Sequence, residues 1–164
     1  MNHTQFTIHL EKLVETLQNA IADDLPEILG NKAASMFRQN FQNEGFFGKP
    51  WKEVKRRQPQ IKIITLKNGQ KVRKVVEPKG ADGKRKILTG RTGNLGRSIR
   101  YKTSKGKAIV YSDVVYAKIH NEGGQAGRNH KVAIPKRTFI ADSPQLEAEL
   151  KKLITKHLNG LMKQ

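Results

Sequence analysis

Cysteine is absent from the 164 residues, so neither a disulfide nor a zinc–thiolate site can hold this fold together. Acidic residues are few: 14 Asp and Glu stand against 32 Lys and Arg, giving a formal net charge of +18. No apolar run approaches the ~20 residues of a membrane-spanning helix, and the first residues lack the apolar block of a signal peptide. We therefore expect a soluble protein that is made in a reducing cytoplasm and makes no membrane contact.

The length suits a single domain over residues 1–164, because domains cluster near ~100–150 residues. Hydrophobic residues make up 36% of the chain. That fraction is modest for a chain of this size. We therefore expect part of the chain to lie outside the core as a loop or an arm.

The positive charge is concentrated in one central stretch. Lys and Arg number 3 against 6 Asp and Glu in residues 1–44, 20 against 3 in residues 45–107, and 9 against 5 in residues 108–164. A block of like charge repels itself and attracts polyanions. The expected partner is nucleic acid or an acidic protein surface, and the alternative is a solvated face that keeps the protein soluble.

Two amphipathic helices are predicted at the start of the chain. Apolar residues three and four apart form a stripe over residues 5–23. Asp24 can cap a second helix, because Glu27 stands at the capping-box position and proline is tolerated in a first turn. Gly45 can take the left-handed conformation that ends a helix. The first stripe consists of Phe6, Leu10, Leu13, Leu17, Ala20 and Ile21.

A β-hairpin is predicted inside the basic stretch. Strands over residues 61–66 and 71–77 flank residues 67–70 (KNGQ), in which Asn-Gly supplies the positive φ angles of a type I′ turn. A two-stranded ribbon is marginally stable alone, so it must lean on the core or on a neighbouring subunit. The turn-rich residues 77–86 are expected to be mobile in the isolated protein. Together these segments form a basic arm over residues 45–91, inserted into the body.

The rest of the chain combines short strands with a closing helix. Residues 99–103 and 107–112 are predicted to pair, Asp113 to cap a short helix, and residues 131–135 to be extended. Pro144 stands in the first turn of a strongly amphipathic last helix. Helices, then strands, then a helix is an α+β pattern.

No motif indicates catalysis. The glycine-rich residues 90–98 differ from a Walker phosphate loop, because five residues rather than four separate its outer glycines and Arg97 stands in place of the lysine. His120, Glu122 and His130 have metal-ligand chemistry, but no further carboxylate or fixed spacing supports a metal site. We expect a protein that is not an enzyme and that needs no cofactor.

Two short runs, residues 52–57 (KEVKRR) and 84–86 (KRK), carry phosphate-binding chemistry. Aromatic residues that could stack on bases are scarce there, so any DNA contact would be to the backbone. A free-standing nucleic-acid-binding module is the alternative function, and a metal-dependent nuclease using His120 is the third. The cations expected to bind a partner or DNA are Lys52, Lys55, Arg56, Arg57, Lys71, Arg73, Lys74, Lys84, Arg85, Lys86 and Arg91.

Four fragments, in their order, resemble the phage virion morphogenesis or tail completion family of the Mu-like prophage type. They are residues 41–54 (FQNEGFFGKPWKEV), 87–99 (ILTGRTGNLGRSI), 116–124 (YAKIHNEGG) and 134–140 (IPKRTFI), followed by a terminal helix. Glu122 and Thr138 differ from the aromatic residue and the proline that the family often has there. These differences indicate a divergent member.

The resemblance implies a non-enzymatic α+β structural subunit in the virion, in an oligomeric ring at the tail or neck. Its implied partners are copies of itself and neighbouring tail tube, terminator or connector proteins, with DNA as a further candidate. The motif residues to which the resemblance assigns a structural role are Trp51, Leu88, Gly90, Gly93, Leu95, Ser98, Tyr116, Ala117, His120, Gly123, Gly124, Pro135, Arg137 and Phe139.

Overall fold

The computed structural model describes residues 3–78 and 80–163, and the side chains from residue 11 onwards except those at 81 and 82. It begins with a continuous helical rod: α1 (His3–Asn19), a π-helical turn (Ala20–Asp24) and α2 (Leu25–Asn43). Leu13 and Leu17 of the predicted stripe are half-buried and Ala20 is buried, whereas Ile21 is 53% exposed. Phe6 and Leu10 lie outside the described side chains.

The predicted break at Asp24 is wrong, because a π-helical turn carries the helix past Pro26. Asp24 has helical angles and caps nothing with its side chain. Proline has no N–H to donate to the carbonyl of Ala22 four residues back. The N–H of Leu25 donates instead to the carbonyl of Ala20, five residues back. The carbonyl of Ala22 accepts from the N–H of Gly106 at 2.7 Å. The helical rod is thus joined to the turn of a distant hairpin.

The end of α2 also differs from the prediction. Glu44, not Gly45, takes the left-handed conformation, with φ 52° and ψ 37°. Gly45 is needed for a different reason: a Cβ there would lie 2.6 Å from the carbonyl oxygen of Lys49. The chain therefore leaves the helix in a tight antiparallel turn.

Among the described residues the strands form four separate two-stranded antiparallel sheets. The pairs are β1 (Gly45–Phe46) with β2 (Lys49–Pro50), β3 (Gln60–Thr65) with β4 (Lys71–Val76), β5 (Ile99–Ser104) with β6 (Lys107–Ser112), and β7 (Gly124–Ala126) with β8 (Val132–Ile134). The hairpins predicted at residues 61–77 and 99–112 are confirmed, the first with strands that lie within one residue of the predicted bounds.

The turn of the β3–β4 hairpin is not of type I′. The N–H of Gly69 bonds to the carbonyl of Leu66 at 2.9 Å, and the N–H of Leu66 bonds to Gln70 at 2.8 Å. Gly69 has φ 82°, whereas Asn68 is not among the positive-φ residues. This is a type I turn closed by a left-handed glycine, the usual three-residue hairpin loop.

The remaining helices are α3 (Gly80–Lys84), α4 (Asn94–Arg97), α5 (Ala117–Glu122) and α6 (Pro144–Leu161). Asp113 does not cap α5; its carboxylate lies 3.7 Å from the guanidinium of Arg100 instead. The N-cap position of α6 is Ser143, and Pro144 stands in the first turn, as predicted. The α+β prediction is confirmed. Within the described chain, no helix has the length and apolar character needed to cross a bilayer.

The core lies between α2, the β5–β6 hairpin, α5 and the segment that precedes α6. Phe139 is 1% exposed and Ile99 is fully buried. The ring of Phe41 packs against those of Trp51 and Phe139, with centroids 5.4 Å and 5.2 Å away. The buried apolar cluster consists of Ala33, Ala34, Phe37, Phe41, Trp51, Ile87, Leu95, Ile99, Ala117 and Phe139.

Candidate functional site

The β3–β4 hairpin is set apart from this core. Every residue of its two strands is exposed or half-buried. Ile61 pairs with Val75 and Ile63 with Arg73, so these four side chains share one face. Ile61 is 69% exposed and Ile63 is 70% exposed. The hairpin therefore presents apolar surface that neither the core nor the partner strand covers.

The same hairpin is strongly cationic. Lys62 stands directly opposite Lys74, although like charges in that position destabilise a strand pair. Lys71 and Arg73 are exposed on the opposite face, which also carries Ile61 and Ile63. Among the described residues, no ion pair involves any of these four cations. An exposed surface that is both apolar and cationic is typical of an interaction site.

The arginines that precede the hairpin bind the segment that follows it. Arg56 donates to the carbonyl oxygens of Arg85 and Lys86, both at 2.8 Å. Arg57 donates to the carbonyl of Arg85 at 2.8 Å and pairs with Glu44 at 2.6 Å. The base of the arm is thus closed by bonds from arginine side chains to backbone oxygens.

Glu44 is the acceptor at the centre of this junction. Its carboxylate accepts from Arg57 and from the backbone N–H of Ile87. Burial alone would raise the pKa of Glu44, but these hydrogen bonds and the charges of Arg57 and Lys86 outweigh it and lower the pKa. The hydrogen bond to Glu44 in turn raises the pKa of Arg57. The pair therefore remains ionised at neutral pH.

The cations predicted to bind a partner thus fall into two structural groups. Lys86 belongs to the junction, because its ammonium donates to the carbonyl of Gln42 at 2.8 Å. Four further members are exposed and belong to neither the hairpin nor the junction: Lys52, Lys55, Lys84 and Arg91. The predicted mobility of residues 77–86 remains a prediction, although the structure gives part of that range a short helix, α3.

Most of the family-motif residues build the core and its connections. Trp51 is buried, and its indole N–H donates to the carbonyl of Thr138 at 2.7 Å. The hydroxyl of Ser98 donates to the carbonyl of Leu95 and lies 2.7 Å from the hydroxyl of Ser112. The motifs therefore join distant segments of the chain.

The motif glycines act through their backbone conformation. A Cβ on Gly123 would lie 2.9 Å from the amide nitrogen of Lys136, and φ there is 79°. Four other motif residues also have positive φ: Leu88 (60°), Gly90 (54°), Gly93 (66°) and Gly124 (155°). Pro135 is half-buried.

Two asparagines were missed by the sequence analysis. Asn121 accepts from the N–H groups of Phe139 and Ile140 and donates to the carbonyl of Ile140 at 3.0 Å. Asn40, 3% exposed, accepts from the N–H of Phe47. The amide nitrogen of Asn40 also donates to the carbonyl of Phe139 at 3.5 Å. Both asparagines thus bind backbone groups of the segment that precedes α6, and no local pattern marks them.

A cleft of about 420 Å³ lies beside this core, where the residues after β2, the turn before α4, and α5 meet. Its walls include Arg56 and Arg137 together with His120 and Tyr116. The amide of Asn94 donates to the hydroxyl of Tyr116 at 3.1 Å. The ring of Tyr116 also packs edge-on against His120, with the centroids 6.0 Å apart.

His120 is not part of a cluster of three metal-binding side chains in the described chain. Burial and then the charge of Arg137 lower the pKa of His120, which favours the neutral imidazole. Its Nδ1 atom is buried without a hydrogen-bond partner. Glu122 does not line the cleft, and no group of three or more His, Asp or Glu side chains that could hold a metal ion occurs among the described residues.

Comparison with known proteins gives one family and one curated relative. The model of the phage virion morphogenesis family matches residues 1–159. The Mu-like prophage FluMu G protein 2 of Haemophilus influenzae is 43% identical over 72 residues, which are 44% of this chain and 52% of that protein. The chain thus spans about half the length of this relative. No solved structure matches.

Proposed function

Because the chain belongs to the phage virion morphogenesis family, we propose that it is a non-enzymatic subunit of a ring that completes the tail or joins it to the head. In this role the β3–β4 hairpin docks on a neighbour in the assembled particle. The neighbour is another copy of the chain or an adjoining tail tube, terminator or connector protein. The finished protein then resides in the tail or the neck of the virion.

The observation that carries this proposal is the exposed hairpin. Ile61 and Ile63 are more than two thirds exposed, at 69% and 70%, and isolated two-stranded ribbons are marginally stable in water. Contact with a neighbour would bury these side chains and stabilise the ribbon. A closed ring also requires two different patches on each subunit, one meeting the other. A hairpin set apart from the core supplies one of them.

The test reverses two exposed charges on the hairpin, Lys71→Glu with Arg73→Glu. Phage genomes that lack this gene are complemented with the variant chain, and tails joined to heads are counted by electron microscopy. The expected result is a folded protein and few joined particles. A matched control reverses two exposed cations elsewhere, Lys118→Glu with Lys131→Glu, and should leave joining intact. Normal joining by the hairpin variant would refute the docking role.

Arg56, Arg57 and Lys86 are unsuitable for this test. Arg56 and Arg57 bind backbone carbonyls at the arm's base, and Lys86 binds Gln42. Reversing these charges would disrupt the body of the protein. A loss of particles would then report misfolding and not a missing contact.

The second candidate function is nucleic-acid binding through the phosphate backbone. It is favoured by the hairpin's cations, which have no carboxylate partner among the described residues. Phosphate contacts make the affinity fall steeply with salt. Titration of labelled duplex DNA at rising salt separates the two candidates. Absence of binding even at low salt would remove DNA as a direct partner.

A further inference from the structure

Arg137 is a buried cation that no carboxylate pairs with in the described chain. It is 7% exposed. Its Nε donates to the carbonyl of Lys52 at 2.9 Å, and one terminal nitrogen donates to the carbonyl of Glu53 at 3.4 Å. Burial and then the nearby charge of Arg56 lower the pKa of Arg137, with the charge of Glu53 opposing them. A cation removed from water without a counter-ion is destabilised, and an anion placed beside it would offset that cost.

The cleft beside Arg137 is built for such an anion. No Asp or Glu lines it among the described residues, whereas a second guanidinium, that of Arg56, does. Asn94 and Tyr116 add a side-chain amide and a hydroxyl to the wall. Leu88 also contributes to the wall, so one side of the cleft is apolar.

We propose that this cleft binds a carboxylate side chain, presented by an acidic peptide segment of another protein. A guanidinium matches a carboxylate with two parallel hydrogen bonds, and Arg137 has donors beyond the two that it uses. The cleft volume of about 420 Å³ is at the small end of the range for small-ligand sites and takes one or two side chains. A DNA duplex carries its phosphates on a convex surface that cannot enter it.

The apolar part of the wall also favours a peptide. Val54, Leu88 and Leu95 line the cleft beside the polar groups, and they can cover the methylene groups of a glutamate and an apolar neighbour. A phosphate group offers no such apolar surface. The proposal is independent of hairpin docking, since the cleft and the hairpin share no residue.

The full chain is titrated with a peptide, and binding is monitored by NMR at the His120 imidazole and at the Tyr116 and Asn94 resonances. The probe is the capped peptide Ala-Leu-Glu-Leu-Ala, and its controls are the Gln counterpart, inorganic phosphate and a short DNA duplex. We expect saturable shifts at these residues with the Glu peptide. The Gln peptide should bind at least about tenfold more weakly, because the charge-assisted hydrogen bonds are lost.

Substitutions test whether the peptide binds in the cleft. Arg137→Gln should weaken binding by about tenfold or more. Because Arg137 also supports the fold, a second variant is needed. Thr92→Phe places a large side chain in the cleft from its wall and should abolish the shifts. Thr92→Ser is its matched control and should retain them. Lys118→Gln removes an exposed charge from α5 outside the cleft and should also bind normally.

Three outcomes would overturn the proposal. One is the absence of shifts with the Glu peptide at millimolar concentration. Another is equal binding of the Glu and Gln peptides. The third is binding of phosphate or DNA at His120 without binding of the Glu peptide, which would assign the cleft to nucleic acid.

Discussion

Lys and Arg are frequent both in the hairpin at residues 60–76 and in the two segments at its base. The surroundings of these cations differ between the two regions. At the base, Arg56 and Arg57 bind carbonyl oxygens and the carboxylate of Glu44. On the hairpin, Lys71 and Arg73 extend into solvent. Charge density alone therefore does not identify a docking surface. The difference is whether the fold places acceptors within reach of each cation.

This division changes the expected consequence of mutations in the basic segment. Changes at the base act on the stability of the whole domain, because the bonds there connect α2 with the residues leading to Ile87 in the core. Changes on the hairpin act on contacts that form only in an assembly. Variants of the core, of the base and of the hairpin test that separation.

Phe139→Ala should destabilise the body by about 3–5 kcal/mol, because it leaves a large cavity in the aromatic cluster. Phe139 is 1% exposed and packs against Phe41. Ile63→Ala on the hairpin should change the free energy of unfolding by less than about 0.5 kcal/mol. Urea unfolding of both variants measures the contrast. Equal losses would mean that the hairpin is part of the core.

Two glycines with positive φ give a second contrast. Gly123→Ala should cost about 2–3 kcal/mol, because φ 79° with ψ 172° is a conformation that residues with a Cβ disfavour, and the new atom presses on the backbone of Lys136. Gly69→Ala meets nothing within 4 Å, so only the backbone penalty of about 1 kcal/mol applies, and it acts on the hairpin turn alone. Thermal unfolding should show a lower midpoint for Gly123→Ala and little change for Gly69→Ala.

Glu44→Gln tests the junction. The substitution removes the nearer of the two carboxylates beside Arg57, since that of Glu53 lies 3.6 Å away, and it weakens the bond to Ile87. We expect a loss of about 2 kcal/mol. Arg73→Gln, which removes a charge from the hairpin, should leave the unfolding free energy unchanged. An unchanged midpoint for Glu44→Gln would show that the charge of Glu44 does not hold the base of the arm.

The pH dependence of stability follows from the same residue. The folded state lowers the pKa of Glu44 below its usual 4.5, so the unfolded chain takes up the proton first as the pH falls. The stabilisation is complete above pH 4.5 and is lost as the pH falls through the lower folded value. Comparison of wild type and Glu44→Gln in acid should show a smaller loss for the variant between these values. Parallel acid profiles would contradict the assignment.

The sequence predicted the elements better than it predicted their junctions. The hairpins, the last helix and the α+β order follow from local patterns of apolar residues and turns. The helix through Pro26 does not, because its continuity depends on the N–H of Gly106, which satisfies the carbonyl that proline leaves without a donor. The carboxylate of Glu44, the left-handed residue after α2, likewise has its partners in Arg57 and Ile87. Such partners are distant in sequence, and no local pattern indicates them.

The same limit applies to the candidate sites. The basic arm was predicted from charge, but its division into hairpin and base required knowledge of which carbonyls lie near Arg56 and Arg57. The cleft was not predicted. Its two arginines, Arg56 and Arg137, are 81 residues apart in the chain and meet only through the fold.

The most direct test of hairpin docking is incorporation of a variant into tails. Ile61→Asp with Ile63→Asp adds charge to the two most exposed apolar side chains of the hairpin while leaving the core untouched. Tagged wild-type and variant chains are expressed beside the untagged protein, and the tag is quantified in purified particles. We predict that the variant keeps its unfolding midpoint but is absent from the particles. Incorporation equal to that of the wild type would contradict the account.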